Sequence, residues 1–491
     1  MNLRRAAVRG MVWFGIEGGA TLVLSVMSLI VMGRIVGPTD FGLAALAIAV
    51  VQFAGLFSEH LLQDAMIQRH DLTPEHESTA HFASFAIGVI GLAGCVIAAV
   101  SLARLFDQPS FAIILIACAL PLPLAGLIAV PTARLRREFH FRPLVTRTIA
   151  SRMSGVIVGP VLAILCFGAW SLVLQHIGGV LVSIALVMRA SPPNIKMRFH
   201  WARFRELIAV GGPITATGLA HMAQDRLFLA LVGTVLDVRA AGFVNMTFRL
   251  AGTLKDTVMN AVTSVSMSTF ARQQNDREAL RHAFVENRRF ISLLAHPVFF
   301  GLFVTAGEIV PIVLGEAWGQ LVPLMQAMAL TAVFQLAVYQ SEAVVVAIGR
   351  PGFATLFFGA SAAAVTGLVP LLHPQSPFTA LLIWIGVMVA AAPLWIAGVA
   401  RMTGWTAGTL LVPGIRGLLC AAAMAAGVAA IDELVFGGVG ELARLLAKIA
   451  CGAILYAALT LAFNRAALFH FIATLRDHGP KPGSGPDLAV P

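Results

Sequence analysis

Charged residues are scarce in this chain. They make up 12% of 491 residues against 58% hydrophobic ones, and the mean hydropathy is +0.86. No soluble core needs so much apolar sequence, which excludes a water-soluble globular enzyme. Cysteine is scarce too. Cys95, Cys118, Cys166, Cys420 and Cys451 all fall inside apolar runs without metal-ligand spacing, so they read as small core residues. There is no Walker motif, hence no ATP-driven engine within the chain. There is also no nucleophile motif and no His/Cys metal pattern, so neither an enzyme activity nor a cofactor is expected. A net charge of +10 would point to nucleic acid in a soluble protein. Here the basic residues cluster in loops between apolar runs, so the membrane is the partner and nucleic acid is not.

What the chain does have is apolar runs of roughly 20 residues or more, about fourteen of them. The expected fold class is an all-α polytopic membrane protein. The N-terminus (Arg4, Arg5, Arg9, then an apolar run) looks like a signal peptide only superficially, and is read as an uncleaved first helix. Most of the 34 Lys and Arg fall in alternate loops, which sets both termini inside. The segment 271–289 is expected to be an amphipathic helix at the headgroups, and the tail from Gly479 to be disordered. Trp13, Trp201 and Trp405 near the inner interface, with Trp170 and Trp318 near the outer one, read as aromatic belts.

The stretch Gly33 to Gly42 and its flanking apolar runs (11–36 and 41–63) organise the chain. The turn 37–40 is long enough only for a hairpin between antiparallel helices. About 200 residues later Gly218, Gly233 and Gly242 stand where Gly18, Gly33 and Gly42 stood. This suggests two similar halves that begin with the same hairpin.

With no soluble domain, function must lie among polar residues buried in the spans. The first span carries Glu17, Thr21, Ser25 and Ser28 on one face, and the second Gln52, Glu59 and Gln63. The fifth carries Thr148, Arg152, Gly155 and Gly159. The seventh carries His221, Gln224, Asp225 and Arg226. The eighth carries Asn245, Arg249, Gly252, Asp256 and Asn260 as a stripe with Lys255 beside it, and the tenth carries Gln335, Tyr339 and Glu342. Arg249 lies roughly 9 Å, and Lys255 roughly 18 Å, below the outer end of its span, too deep to snorkel easily. Two readings stay open. In one, a water-filled midplane cavity presents these cations to an anionic substrate. In the other, ion pairs such as Asp225–Arg249, or Asp256 with neighbours of Lys255, lock helices together. Arg152 could also reach the inner headgroups. His221 reads as a helix-contact residue rather than a proton relay, and Glu17 as the best candidate for a titrating carboxylate.

The segment Gly33-Arg-Ile-Val-Gly-Pro-Thr-Asp-Phe-Gly-Leu-Ala-Ala45 resembles the first hairpin of the polysaccharide flippases. These form the polysaccharide transporter branch of the multidrug/oligosaccharidyl-lipid/polysaccharide exporter superfamily. Gln224-Asp-Arg-Leu-Phe-Leu229, Ala241-Gly-Phe-Val-Asn-Met-Thr-Phe-Arg-Leu-Ala251, the segment 270–280, and Gly315-Glu-Ala-Trp318 resemble later parts of that pattern. The one departure is 236–240, which replaces the second Gly-Pro turn. The resemblance implies two six-helix lobes (1–206 and 207–400) around a central cavity, two additional helices (401–464), and a cytoplasmic tail (465–491). It implies alternating access, and a polyprenyl-diphosphate-linked oligosaccharide carried across the bacterial inner membrane for exopolysaccharide, capsule or O-antigen synthesis. On that reading Arg226, Arg249, Lys255, Arg152, Gln52 and Asn245 line the substrate cavity, while Glu17, Asp225, Asp256 and Glu342 are candidates for ion coupling. Membrane lipids, a polymerase and export machinery are the implied partners of a monomer. The alternatives are a multidrug exporter, which wants an acidic cavity; a glycan polymerase or ligase, which wants a long outer loop; and a non-transporting scaffold.

Overall fold

The computed structural model describes residues 3–69, 71–192, 198–273, 276–435 and 440–465, with backbone alone at 3–12, 14, 258–273, 337, 339 and 435. Among the described residues there is no strand. The first six long helices are α1 (Leu3–Ile35), α2 (Pro38–Gln68), α3 (Pro74–Leu105), α4 (Ser110–Leu127), α5 (Phe141–Ile164) and α6 (Ala169–Ala190). The next six are α7 (Trp201–Val235), α8 (Val238–Gln273), α9 (Arg277–Leu314), α10 (Leu321–Ala347), α11 (Pro351–Leu372) and α12 (Pro377–Thr403). The last two are α13 (Ala407–Leu434) and α14 (Glu441–Phe463). Twelve of these are long and apolar enough to cross a membrane. The other two, α7 and α8, have ample length but carry the charged stripes noted above. The expected count of fourteen therefore depends on two amphipathic helices packed inside the bundle.

The two hairpins have the same construction. α1 ends at Ile35 and α2 starts at Pro38; α7 ends at Val235 and α8 starts at Val238, an offset of 200 residues. Pro38 begins α2, where its missing N–H costs nothing. The second turn lacks that proline, but the Asp237 carboxylate accepts from the Ala240 N–H at 2.6 Å and caps α8 instead. The departure from the family pattern is thus a change of cap.

The hairpins meet at one end of the bundle, where α2 lies against α8. Gly42 and Gly242 face each other there. A Cβ on Gly42 would overlap the Val238 carbonyl, and one on Gly242 would overlap the Pro38 carbonyl. Only glycine allows this backbone approach. Trp318 plugs the same end. It is fully buried, its Nε1 donates to the Gly33 carbonyl at 2.8 Å, and Phe41 and Phe243 meet it edge-on at 5.6 and 5.7 Å. Arg34 donates to the Val313 carbonyl at 3.1 Å and to that of Ile312. Trp318 is therefore not a belt residue, because the tight helix contact beside its turn offers a deeper pocket than the interface does. Trp405 is likewise buried, stacked on Phe284 at 5.3 Å.

The segment 271–289 also departs from expectation. Residues 271–273 end α8, 274–275 lie outside the described residues, and 277–289 are the start of α9. That start is amphipathic, with Glu278 and His282 exposed, but Leu280, Phe284 and Arg288 on its other face are buried against the bundle. The tail from Gly479 and the side chains of Arg4, Arg5, Asn260 and Tyr339 lie outside the described residues too.

α13 and α14 are held to α9 by a charge quartet. Lys448 reaches Glu308 at 2.6 Å and Asp432 at 2.7 Å, and Arg444 reaches Asp432 at 2.6 Å. Two cations facing two carboxylates cancel, which makes this charge tolerable in a bundle interior.

Replacing Gly42 with Ala is expected to lower the thermal stability of the detergent-purified protein by on the order of 1–3 kcal/mol through overpacking. Gly18→Ala, where a Cβ meets nothing within 4 Å, should not. Equal melting of the two variants would contradict the close-contact account.

Candidate functional site

A cavity of about 380 Å³ lies in the N-terminal half, walled by α1, α2, α5 and α6 and closed on one side by α8. On α5, Arg147, Thr148, Ser151, Arg152 and Gly155 share one helical face and all reach it. α6 adds Gln175 and His176, and α8 contributes Asn245 and Arg249. The polar groups also tie the wall helices together. Arg152 Nη1 donates to Ser25 Oγ at 2.8 Å, Gln175 Nε2 to Ser28 Oγ at 2.9 Å, and Ser151 Oγ to the Gly179 carbonyl at 2.7 Å. Arg249 reaches in from the other half, its guanidinium 5.8 Å from the centre of the Phe41 ring.

The charge of this lining is one-sided. Three arginines reach the cavity and, among the described residues, no Asp or Glu does. Arg249 is within electrostatic range of both Arg152 and Arg226. Like charges 10 Å apart repel by about 2 kcal/mol at an effective dielectric of ~20. Three guanidiniums thus make a field that an entering anion relieves and an entering cation worsens. Glu17 and Glu59 are not among the residues that line the cavity. Glu17 is within electrostatic range of Arg147 and Arg152, and Glu59 of Arg147. Glu59 lies in a π turn, Leu56–His60, that breaks the regular face expected for the second span.

Of the six residues assigned to the substrate cavity from the sequence, the cavity brings together Arg152, Arg249 and Asn245, and Ser25, Ser28, Thr148 and Gly155 from the polar faces also line it. Gln52, Arg226 and Lys255 do not line it. Asp225 sits in a mixed cluster, within range of Lys255, Arg226 and His221, and no ion pair joins it to Arg249 among the described residues. Glu342 is paired with His221 Nε2 at 2.9 Å, and the His221 ring lies 3.8 Å from that of Phe358, a helix contact. Asp256 is exposed. Arg147, Gln175 and His176 were not singled out. Their signal was available: Arg147 adjoins Thr148 on the face already marked, and Gln175-His176 is a polar pair inside an apolar run.

The end of the bundle rich in arginine is also tied together by charge. Glu206, just ahead of the expected seventh span, takes Arg203 at 3.0 Å, His76 Nε2 at 3.2 Å, and Arg69. Arg203 also holds Glu75 at 3.0 Å. These contacts join α7 to the turn between α2 and α3. The His76 hydrogen bond, with Arg203 and Arg69, holds the Glu206 carboxyl below the usual carboxylate range.

Comparison with known proteins gives a consistent picture. A family model described as "Polysaccharide biosynthesis protein" matches residues 31–323. The chain is 24% identical over 485 residues to the succinoglycan biosynthesis transport protein ExoT of Rhizobium meliloti (strain 1021), covering 97% of each chain. It is 21% identical over 335 residues to the lipopolysaccharide biosynthesis protein WzxC of Escherichia coli (strain K12), covering 66% of this chain and 67% of that one. Its fold is similar to that of the lipid II flippase MurJ in an inward closed conformation (TM-score 0.76, 14% identity, 93% of this chain and 100% of that one). It is also similar to an inward-facing multidrug resistance MATE transporter of the MOP superfamily (TM-score 0.58, 14% identity, 85% and 98%).

The Glu206 contacts have a defined pH signature. A depressed carboxyl pKa contributes stability above the ordinary carboxylate pKa, and that stability is lost as pH falls through the folded value. The distance between spin labels at Asp71 and Ala202 should therefore stay constant from pH 8 to about 5 and lengthen only below the usual carboxylate range. Glu206→Gln should lengthen it at neutral pH. An unchanged distance in that variant would show that the contacts do not hold this end closed.

Proposed function

Since the chain belongs to the polysaccharide biosynthesis protein family, we propose that it is a flippase, a transporter and not an enzyme. It moves a polyprenyl-diphosphate-linked oligosaccharide from the cytoplasmic to the periplasmic face of the bacterial inner membrane. The observation that carries this reading is the cavity lined by Arg147, Arg152 and Arg249 without a carboxylate. Guanidinium groups suit phosphate oxygens in geometry as well as charge. Asn245, Gln175 and the serines of the wall supply hydrogen-bonding groups for sugar hydroxyls. A cationic drug would meet three like charges there, which disfavours a multidrug exporter.

In this reading residues 1–206 and 207–400 are two lobes that rock about the cavity, and 401–464 ride on the second lobe through the Lys448 quartet. The hairpin contact at Gly42 and Gly242 closes the periplasmic end, and the Glu206 contacts close the cytoplasmic end. The arginine-rich loops and both termini face the cytoplasm. Arg226 and Lys255 form a second set of cations across from the first. Glu17, within range of two cavity arginines, is the coupling carboxylate for a proton or sodium ion; Asp225 and Asp256 are further candidates, while Glu342 is engaged by His221. The flipped unit passes to a polymerase and export machinery for exopolysaccharide, capsule or O-antigen.

The test uses liposomes loaded with polyprenyl-diphosphate oligosaccharide, following exposure of the glycan to an added glycosidase. The protein should accelerate exposure and leave the lipid linkage intact. Arg147→Gln with Arg152→Gln should slow it by about tenfold or more, the scale of losing charge-assisted phosphate contacts. Wild-type rates in that double variant would overturn the cavity assignment.

A further inference from the structure

A second set of arginines converges at the opposite side of the basic end. Arg277 begins α9, Arg350 precedes α11 and Arg401 lies in the last turn of α12. They wall two adjoining cavities, of about 350 and 510 Å³, that share Arg350 and Met402. Several other arginines at this end are neutralised: Arg69 and Arg203 by Glu206, Arg134 by Glu77, and Arg281 by Glu278. Arg277, Arg350 and Arg401 have no carboxylate partner among the described residues. The nearest candidates are occupied: Asp276 caps α9 by accepting from the Glu278 and Ala279 N–H groups, and Glu278 holds Arg281.

The smaller cavity is closed by Trp405, Leu280 and Thr403. The larger is an apolar groove between α11 and α12, where Phe353 lies against Gly398. Leu356 and Leu394, farther along the same two helices, are 72% and 71% exposed, as lipid-facing residues are. The N-terminus of α11 opens into the groove through Gly352 and adds the positive end of a 22-residue helix. A cationic head pocket continuous with an apolar groove on the lipid-facing surface fits an anionic amphiphile, and neither a free inorganic anion nor a neutral lipid uses both parts.

We infer that this is a binding site for the phosphate group of a membrane lipid. Arg277, Arg350 and Arg401 contact the phosphate, and the chain lies along the Phe353–Gly398 groove. The phosphate could belong to a bilayer phospholipid or to a polyprenyl phosphate, which share the chemistry recognised here. The site is separate from the N-terminal cavity and does not depend on the flippase reading.

The test is native mass spectrometry of the full-length protein from zwitterionic nanodiscs, titrated with phosphatidylglycerol, polyprenyl monophosphate or inorganic phosphate. Arg350→Gln with Arg401→Gln should weaken at least one lipid phosphate by about tenfold, and the lipid that responds identifies the source. Arg142→Gln with Arg189→Gln, which changes exposed basic residues elsewhere, should leave binding unchanged. Equal loss in the two double variants would mean general charge attraction and overturn the site. So would equal binding by wild type and the Arg350/Arg401 variant, or inorganic phosphate binding as tightly as lipid. Thermal melting without anionic lipid checks folding; if the double variant melts early, Arg401→Gln alone, an exposed change, carries the comparison.

Discussion

A guanidinium removed from water must find a counter-charge or polar partners, because isolated burial costs several kcal/mol. The helices satisfy this constraint differently in the two halves. In the C-terminal half, charge meets charge: His221 with Glu342, Asp225 among cations, and the Lys448 quartet at α14. In the N-terminal half, Arg147 and Arg152 line open space; a serine hydroxyl tethers Arg152, and Glu17 lies within electrostatic range of both. The imbalance leaves the first cavity lined by positive charge, whereas the ion pairs of the second half compensate its buried cations at α7 and α14 and leave Arg277, Arg350 and Arg401 at the helix ends without a carboxylate among the described residues.

Contacts of two different kinds join the helices at the two ends of the bundle. At one end the contact is backbone on backbone, with Gly42 against Gly242 and Trp318 wedged between two phenylalanines. Such contact is either made or broken, since packed interfaces deform little. At the other end it is ionic and partly exposed, centred on Glu206. A packed seal facing one compartment and a salt-bridged seal facing the other suit a device that opens one end at a time.

Much of this was legible in the sequence. The apolar runs marked the helices because spanning segments cannot be polar along their length. The 200-residue offset of Gly42 and Gly242 anticipated the hairpins, since close backbone approach restricts those positions to glycine. What periodicity could not supply was the neighbour of each side chain. Trp318 and Trp405 occupy turn-adjacent positions as belt residues do, but whether a turn faces lipid or another helix is decided by tertiary packing. The start of α9 is amphipathic in sequence, yet its apolar face meets α10 and α12 instead of headgroups. The cations divided in the same way. Arg249 and Lys255 belong to one amphipathic helix, but only Arg249 lines the cavity, and Arg147 on α5 joins it there.

The central claim is that a lipid-linked diphosphate sits against α5 and α6. It is tested most directly by a substrate analogue carrying a photo-crosslinking group next to the diphosphate, followed by peptide mapping of the adducts. The account predicts labelling within 141–164 and 169–190, reduced when unlabelled polyprenyl diphosphate competes. Competed labelling confined to helices of the C-terminal half would contradict it.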